Sequence, residues 1–245
     1  MAVNYDHKAN LHTLKGPRVA LSLIFDGNFP HSVLDIGCGL GTWLNAFKEF
    51  GVQDYYGVDG ADIAEKDLLI ERDRFQVVDF SKPWTLGRKF DLVICLEVAE
   101  HLPPTLSQKF IEALCEHSDH ILFSAACPNQ PGQNHINCEW PEFWQNLFNK
   151  IGFACEDNVR PKIWNAEGIE VWYRQNTFTA RRSPDAGKEI RIPGMVHPAF
   201  LAQFISAAAK AASERTRNEI VSGGLRFADY PKMAARAVLN RLMHR

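Results

Sequence analysis

Along the first two thirds of the chain, short apolar runs bounded by Gly, Pro, Asn or Asp alternate with stretches in which apolar residues recur every three or four positions. The short runs read as strands: Val33, Leu34 and Ile36, then 54–59, 75–80, 90–95 and 120–126. The run at 90–95 is apolar throughout, as in a parallel strand buried on both faces. The intervening stretches read as helices. The first spans Pro17 to Phe25, with Val19, Ala20, Leu23 and Ile24 on one side and Gly27, Asn28 and Pro30 ending it. A second carries Leu44, Phe47 and Phe50. A third runs from Pro103 and Pro104 to about His117, and a fourth from Trp140 and Pro141 to about Phe153. Residues 170–178 read as a late strand and 181–187 as a linker. Two helices follow, from about Ala199 to Glu214 and from about Pro231 to Met243.

Strand and helix alternating at this spacing predict an α/β fold, a doubly wound (Rossmann-like), mostly parallel seven-stranded sheet with an α-helical C-terminal extension. The expected division is 1–180 for the α/β domain and 181–245 for the extension.

The chain has 245 residues, 46% apolar and 23% charged, the composition of a globular protein with a sizeable core. No apolar run approaches the ~20 residues of a membrane span, and the N-terminal stretch lacks the apolar centre of a signal peptide. A cytoplasmic location is the expectation. Six scattered cysteines without a C-x-x-C pair read as reduced thiols rather than a zinc site. Charge is unevenly placed: residues 1–180 hold 15 Lys and Arg against 24 Asp and Glu, and residues 181–245 hold 12 against 5. An acidic body argues against nucleic acid as the main substrate. The basic tail suits packing on its own domain, self-association as a homo-oligomer, or peripheral contact with an anionic membrane.

The densest signal is Asp35-Ile36-Gly37-Cys38-Gly39-Leu40-Gly41, between the first strand and the second helix. A single residue separates Gly39 from Gly41, where a dinucleotide fingerprint needs two. The carboxylate of Asp35 would repel a pyrophosphate and favour a cationic ligand. This D-x-G-x-G-x-G pattern resembles the first motif of class I S-adenosylmethionine-dependent methyltransferases. Asp59, Asp79-Phe80 and Asp91 stand at strand ends in the order that family uses. The resemblance implies S-adenosylmethionine as cofactor, held by Asp35, Gly37, Gly39 and Gly41. It assigns Asp59 to the ribose hydroxyls, Asp79 to the adenine amino group, Phe80 to the ring, and Leu96 to the same site.

Two loops carry the candidate chemistry. Glu97, Glu100 and His101 follow the fourth strand, and His135 lies in the long loop after the fifth. Either Glu97, Glu100, His101 and His135 bind a manganese-like divalent metal, or His135 or His101 acts as a general base, or Glu100 and His101 only cap the helix that follows. The E-x-x-E-H and later H-x-x-x-E-W arrangement looks like the small-RNA 3′-terminal 2′-O-methyltransferases, where those positions are metal ligands. The 101-to-135 interval looks short for that family. Trp140, Trp144, Trp172, Tyr173 and Arg174 are candidates for the acceptor, since flat rings suit sugar faces. This set is similar to small methyltransferases of saccharide pathways. The expected activity is methyl transfer to a hydroxyl, with an amine second, on a small saccharide-containing acceptor. The alternatives are a metal-dependent RNA ribose 2′-O-methyltransferase and a non-catalytic module that binds cofactor or a partner.

Overall fold

A computed structural model describes residues 13–221 of the chain. Residues 13–197 belong to one compact unit and 198–221 to a second. The first unit is built on a seven-stranded sheet of β1 (Ser32–Ile36), β2 (Asp54–Asp59), β3 (Phe75–Val77), β4 (Leu92–Leu96), β5 (His120–Ser124), β6 (Phe153–Glu156) and β7 (Phe178–Arg182). Their spatial order is β3-β2-β1-β4-β5-β7-β6. The first five strands are parallel, and β7 runs antiparallel between β5 and β6. Connections turn outward in opposite directions from β1 and β4, so a crevice opens between them at their carboxyl ends.

Helices cover both faces, as a parallel sheet requires. On one face lie α3 (Ser107–His117) and α4 (Pro141–Lys150), whose Phe110, Leu114, Trp144 and Phe148 share a core with Phe123 and Phe178. The other face carries α1 (Lys15–Phe25), α2 (Thr42–Glu49) and α5 (Arg160–Ile163), with Leu21, Leu44, Phe47 and Ile163 packed with Val33 and Leu92. Each such side chain contributes about 1.5–3 kcal/mol when fully buried, so the apolar periodicity of the sequence becomes two layers of core.

The late strand expected at 170–178 is instead a helix, α6 (Val171–Asn176), followed by β7. Aromatic and β-branched residues favour a strand locally. In the fold, Val171 and Gln175 form a buried i, i+4 face, and the Thr177 hydroxyl donates to the Tyr173 carbonyl at 2.7 Å. Arg181 and Arg182, expected in the linker, pair in β7 with His120 and Phe153. Arg182 is held there by Asp119 at 2.6 Å, and the compact unit continues beyond residue 180 to His197. The second unit is described as a single helix, α7 (Pro198–Val221), longer than the expected 199–214. The helix expected at 231–243 lies outside the described residues. Among the described residues no helix is long and apolar enough to cross a membrane.

Candidate active site

A cavity of about 360 Å³ lies at the carboxyl ends of β1, β2 and β4, roofed by the loop after β5 and by the start of α6. The glycine turn forms one wall. Gly37, Gly39 and Gly41 have φ of +81°, +54° and +81°, a region where a side chain is strained. A Cβ at Gly37 would sit 2.3 Å from the Val98 side chain, so close packing alone already demands glycine there. The Gly39 amide donates to Asp59 Oδ2 and the Ala61 amide to Asp59 Oδ1, both at 2.8 Å. Asp59 thus ties the end of β2 to the glycine turn. Asp35 is 3% exposed, and its Oδ2 has no hydrogen-bond partner. Burial, and then the charge of Asp59, push its carboxyl well above the usual range.

The opposite wall holds the acid and imidazole cluster. Glu97 follows β4 with φ +58°, unusual for a residue with a side chain. Its amide donates to the Ser124 carbonyl and hydroxyl at 3.0 and 3.1 Å. Its carboxylate accepts from Gln130 Nε2 at 2.5 Å and Asn176 Nδ2 at 3.2 Å. Three distant segments therefore meet on Glu97. Burial raises its pKa, and the bonds from Ser124, Asn176 and Gln130 oppose the rise.

Glu100 is fully buried, and neither carboxylate oxygen has a hydrogen bond. Burial, then the charge of Glu97, raise its pKa well above the ordinary value. The Glu100 carbonyl accepts from the Ile136 and Asn137 amides at 3.0 and 3.1 Å and so clamps the loop after β5. That loop carries His135, whose Nδ1 lies 2.9 Å from the Gln130 carbonyl. A carbonyl only accepts, so Nδ1 holds the proton and Nε2 presents a lone pair. Nε2 is 4.0 Å from Glu100 Oε1, and the ring stands edge-on to His101 with centroids 5.1 Å apart. Burial lowers the pKa of His135. Burial, then His135, lower that of His101 to about 4. Both imidazoles are neutral at pH 7. A Cβ at Gly132 would lie 2.0 Å from His135 Nε2, so that glycine makes room for the ring.

Of the expected cofactor residues, Asp35, Gly37, Gly39, Asp59, Phe80 and Leu96 line the cavity. Gly41 and Asp79 do not. Gly41 caps α2 with Ile70 against it, and the Asp79 carboxylate accepts from the Ser81 amide and hydroxyl at 3.0 and 2.6 Å. Of the four expected metal ligands, Glu100, His101 and His135 bring one ligand atom each to within 4.8 Å of the others. Glu97 is outside this group, its carboxylate bound by the Gln130 and Asn176 amides.

Trp172 and Tyr173 line the cavity; Trp140, Trp144 and Arg174 do not. Trp144 is 1% exposed and packs on Phe123 and Phe143, whereas Trp140, four residues earlier, is 36% exposed and outside the core. Arg174 Nη1 donates to the Trp164 carbonyl at 3.3 Å, away from the cavity. Sequence reasoning did not single out Gln130 and Asn176, which hold Glu97, Gly132, which makes room for His135, or Glu170, which lines the cavity. Only Gly132, between Pro131 and a polar run, carried a local signal.

A family model described as "Methyltransferase domain" matches residues 7–182. The chain is similar to a magnesium-protoporphyrin O-methyltransferase of Synechocystis sp., 32% identical over 120 residues, covering 45% of this chain and 50% of that protein. It is also similar to a ubiquinone biosynthesis O-methyltransferase of Idiomarina loihiensis, 38% identical over 88 residues, covering 32% and 35%. The matched region thus spans half or less of these curated relatives. Among solved structures, a sugar N-methyltransferase from a Streptoalloteichus species superposes with a TM-score of 0.52 at 15% identity, over 72% of this chain and 90% of that one. At that identity the likeness speaks for the fold. With a family model covering most of the chain, this protein belongs to the methyltransferase-domain family.

Proposed function

We propose that this enzyme methylates a hydroxyl of a small, saccharide-containing acceptor and that His135 removes the hydroxyl proton. The observation that carries this reading is the His135 imidazole, neutral, with its Nδ1 proton committed to the Gln130 carbonyl and its Nε2 beside the unpartnered Glu100 carboxylate. An alcohol needs its proton removed as it attacks, and a positioned neutral histidine does this near pH 7. The proton goes to Nε2, and Glu100 offsets the charge of the resulting imidazolium. The names of the curated relatives favour oxygen as the acceptor atom.

S-adenosylmethionine, when bound, supplies an activated methyl group. Asp35, buried with an unpartnered oxygen, suits the cationic part of that molecule. Asp59 suits the ribose hydroxyls, Phe80 the adenine ring, and Leu96 an apolar contact. Trp172 and Tyr173 offer flat faces for a sugar ring.

A second reading places a divalent cation on Glu100, His101 and His135, whose ligand atoms lie within 4.8 Å of one another. Two nitrogens and one oxygen suit a manganese-like ion, which would acidify the acceptor hydroxyl. Among the described residues no Lys or Arg lines the cavity, which disfavours an RNA phosphate backbone. Methyl transfer to any acceptor would exclude a purely binding role.

The test is His135→Gln in single-turnover transfer of labelled methyl groups. Transfer should fall by about 10²–10⁴-fold, with the affinity for S-adenosylhomocysteine retained. An unchanged rate would overturn the assignment.

A further inference from the structure

The cavity is one-sided in charge. Asp35, Asp59, Glu97, Glu100 and Glu170 all line it, while no Lys or Arg does so among the described residues, and its two histidines are neutral. Asp59 and Glu97 are satisfied by amides. Three carboxylates keep an oxygen without a hydrogen bond: Asp35, Glu170 and the fully buried Glu100, on which both oxygens are bare. Unpaired carboxylates in a desolvated site cost free energy that an incoming cation can offset.

Two of the three have a cation in the reading above. Asp35 would face the positive part of the cofactor, and Glu100 the imidazolium formed on His135. Glu170 has none. It precedes α6, and its Oε2 reaches so close to α1 that a Cβ at Gly16 would lie 2.1 Å away. A glycine on α1 therefore makes space for this carboxylate. Trp172 and Tyr173, two and three residues further on, line the same cavity, and Tyr173 stands edge-on to Trp43 with centroids 5.1 Å apart. A carboxylate and aromatic rings lining one cavity are the chemistry that holds an ammonium group.

We infer that the acceptor is a cationic small molecule, a polyhydroxylated amine whose ammonium group is bound by Glu170 in the cavity that Trp172 and Tyr173 also line. The inference rests on the methyl-transfer reading for the identity of the cavity and adds the charge of its substrate. Neutral and anionic analogues of the same shape would leave Glu170 unpaired or repel it, and the acceptor site selects against them.

The test is binding of three probes to the full chain saturated with S-adenosylhomocysteine, followed by saturation-transfer NMR: glucosamine, N-acetylglucosamine and glucuronate. Glucosamine should bind about tenfold tighter than either of the others, or more, as expected for a charge-assisted hydrogen bond. Glu170→Gln, nearly isosteric, should erase that preference while leaving S-adenosylhomocysteine affinity within about twofold. Glu170→Asp, which keeps the charge, should restore part of it. Equal binding of the three probes, tighter binding of glucuronate, no binding of any probe, or a preference that survives Glu170→Gln would overturn the inference. Labelled-methyl transfer is scored separately. Selective binding without transfer would count against the catalytic reading while upholding the charge of the ligand.

Discussion

Glu100 offers a sharp test because its folded environment sets a pH dependence of known sign. It is fully buried, its oxygens are bare, and Glu97 adds a like charge. Its pKa in the folded chain is raised well above the ordinary 4.5. Between those two values the folded state binds a proton that the unfolded state has released, so stability falls as pH rises through that window. One such group contributes a slope of up to about 1.36 kcal/mol per pH unit. Glu100→Gln removes the titration. The variant should match the wild type near pH 4.5 and gain on it as pH rises toward the raised folded-state value, so that it is the more stable protein at pH 7 while transferring methyl groups more slowly. The assay is urea unfolding of the cofactor-free protein at pH 5, 6, 7 and 8, read as the difference in stability between the two chains. A difference that stays flat across that range, or that shrinks as pH rises, would refute the reasoning. It would mean that Glu100 is solvated or paired in solution.

Three further outcomes follow from the same geometry. Gly132→Ala places a Cβ 2.0 Å from His135 Nε2, so the ring must move; the transfer rate should drop by about tenfold or more while S-adenosylhomocysteine affinity is kept, and an unchanged rate would show that the ring is free to shift. Manganese titrated calorimetrically into chelator-treated protein should bind stoichiometrically, with loss in His135→Ala, if the three-residue group holds a cation. The absence of heat in the wild type would remove the metal reading. Trp144→Ala should cost about 3–5 kcal/mol of stability by leaving a cavity against Phe123, measured by urea unfolding, and a cost below about 1 kcal/mol would contradict its placement in the core.

What the sequence determined alone was the local physics. The glycine turn after β1 was legible because backbone at φ near +80° admits little but glycine. Asp35 and Asp59 were legible because an open α/β sheet holds its ligand beyond the carboxyl ends of its strands, although Asp79, at a third such end, lies off the cavity. The five parallel strands were legible from apolar runs between helical periods. Tertiary structure decided the rest. Residues 171–176 have strand-like propensity, yet they fold as a helix because Val171 and Gln175 are buried on one face. Trp140 and Trp144 look alike in sequence, but only Trp144 reaches the core cluster. Glu97 reads as a metal ligand beside Glu100 and His101. Gln130 and Asn176, 33 and 79 residues away, claim its carboxylate, and local pattern carries no record of such partners. Glu170 was invisible for the same reason: its meaning comes from Gly16 and from a cavity whose walls are drawn from the length of the domain. Short-range sterics are written in adjacent residues, whereas the burial and pairing of a charge depend on which distant segments the fold brings around it.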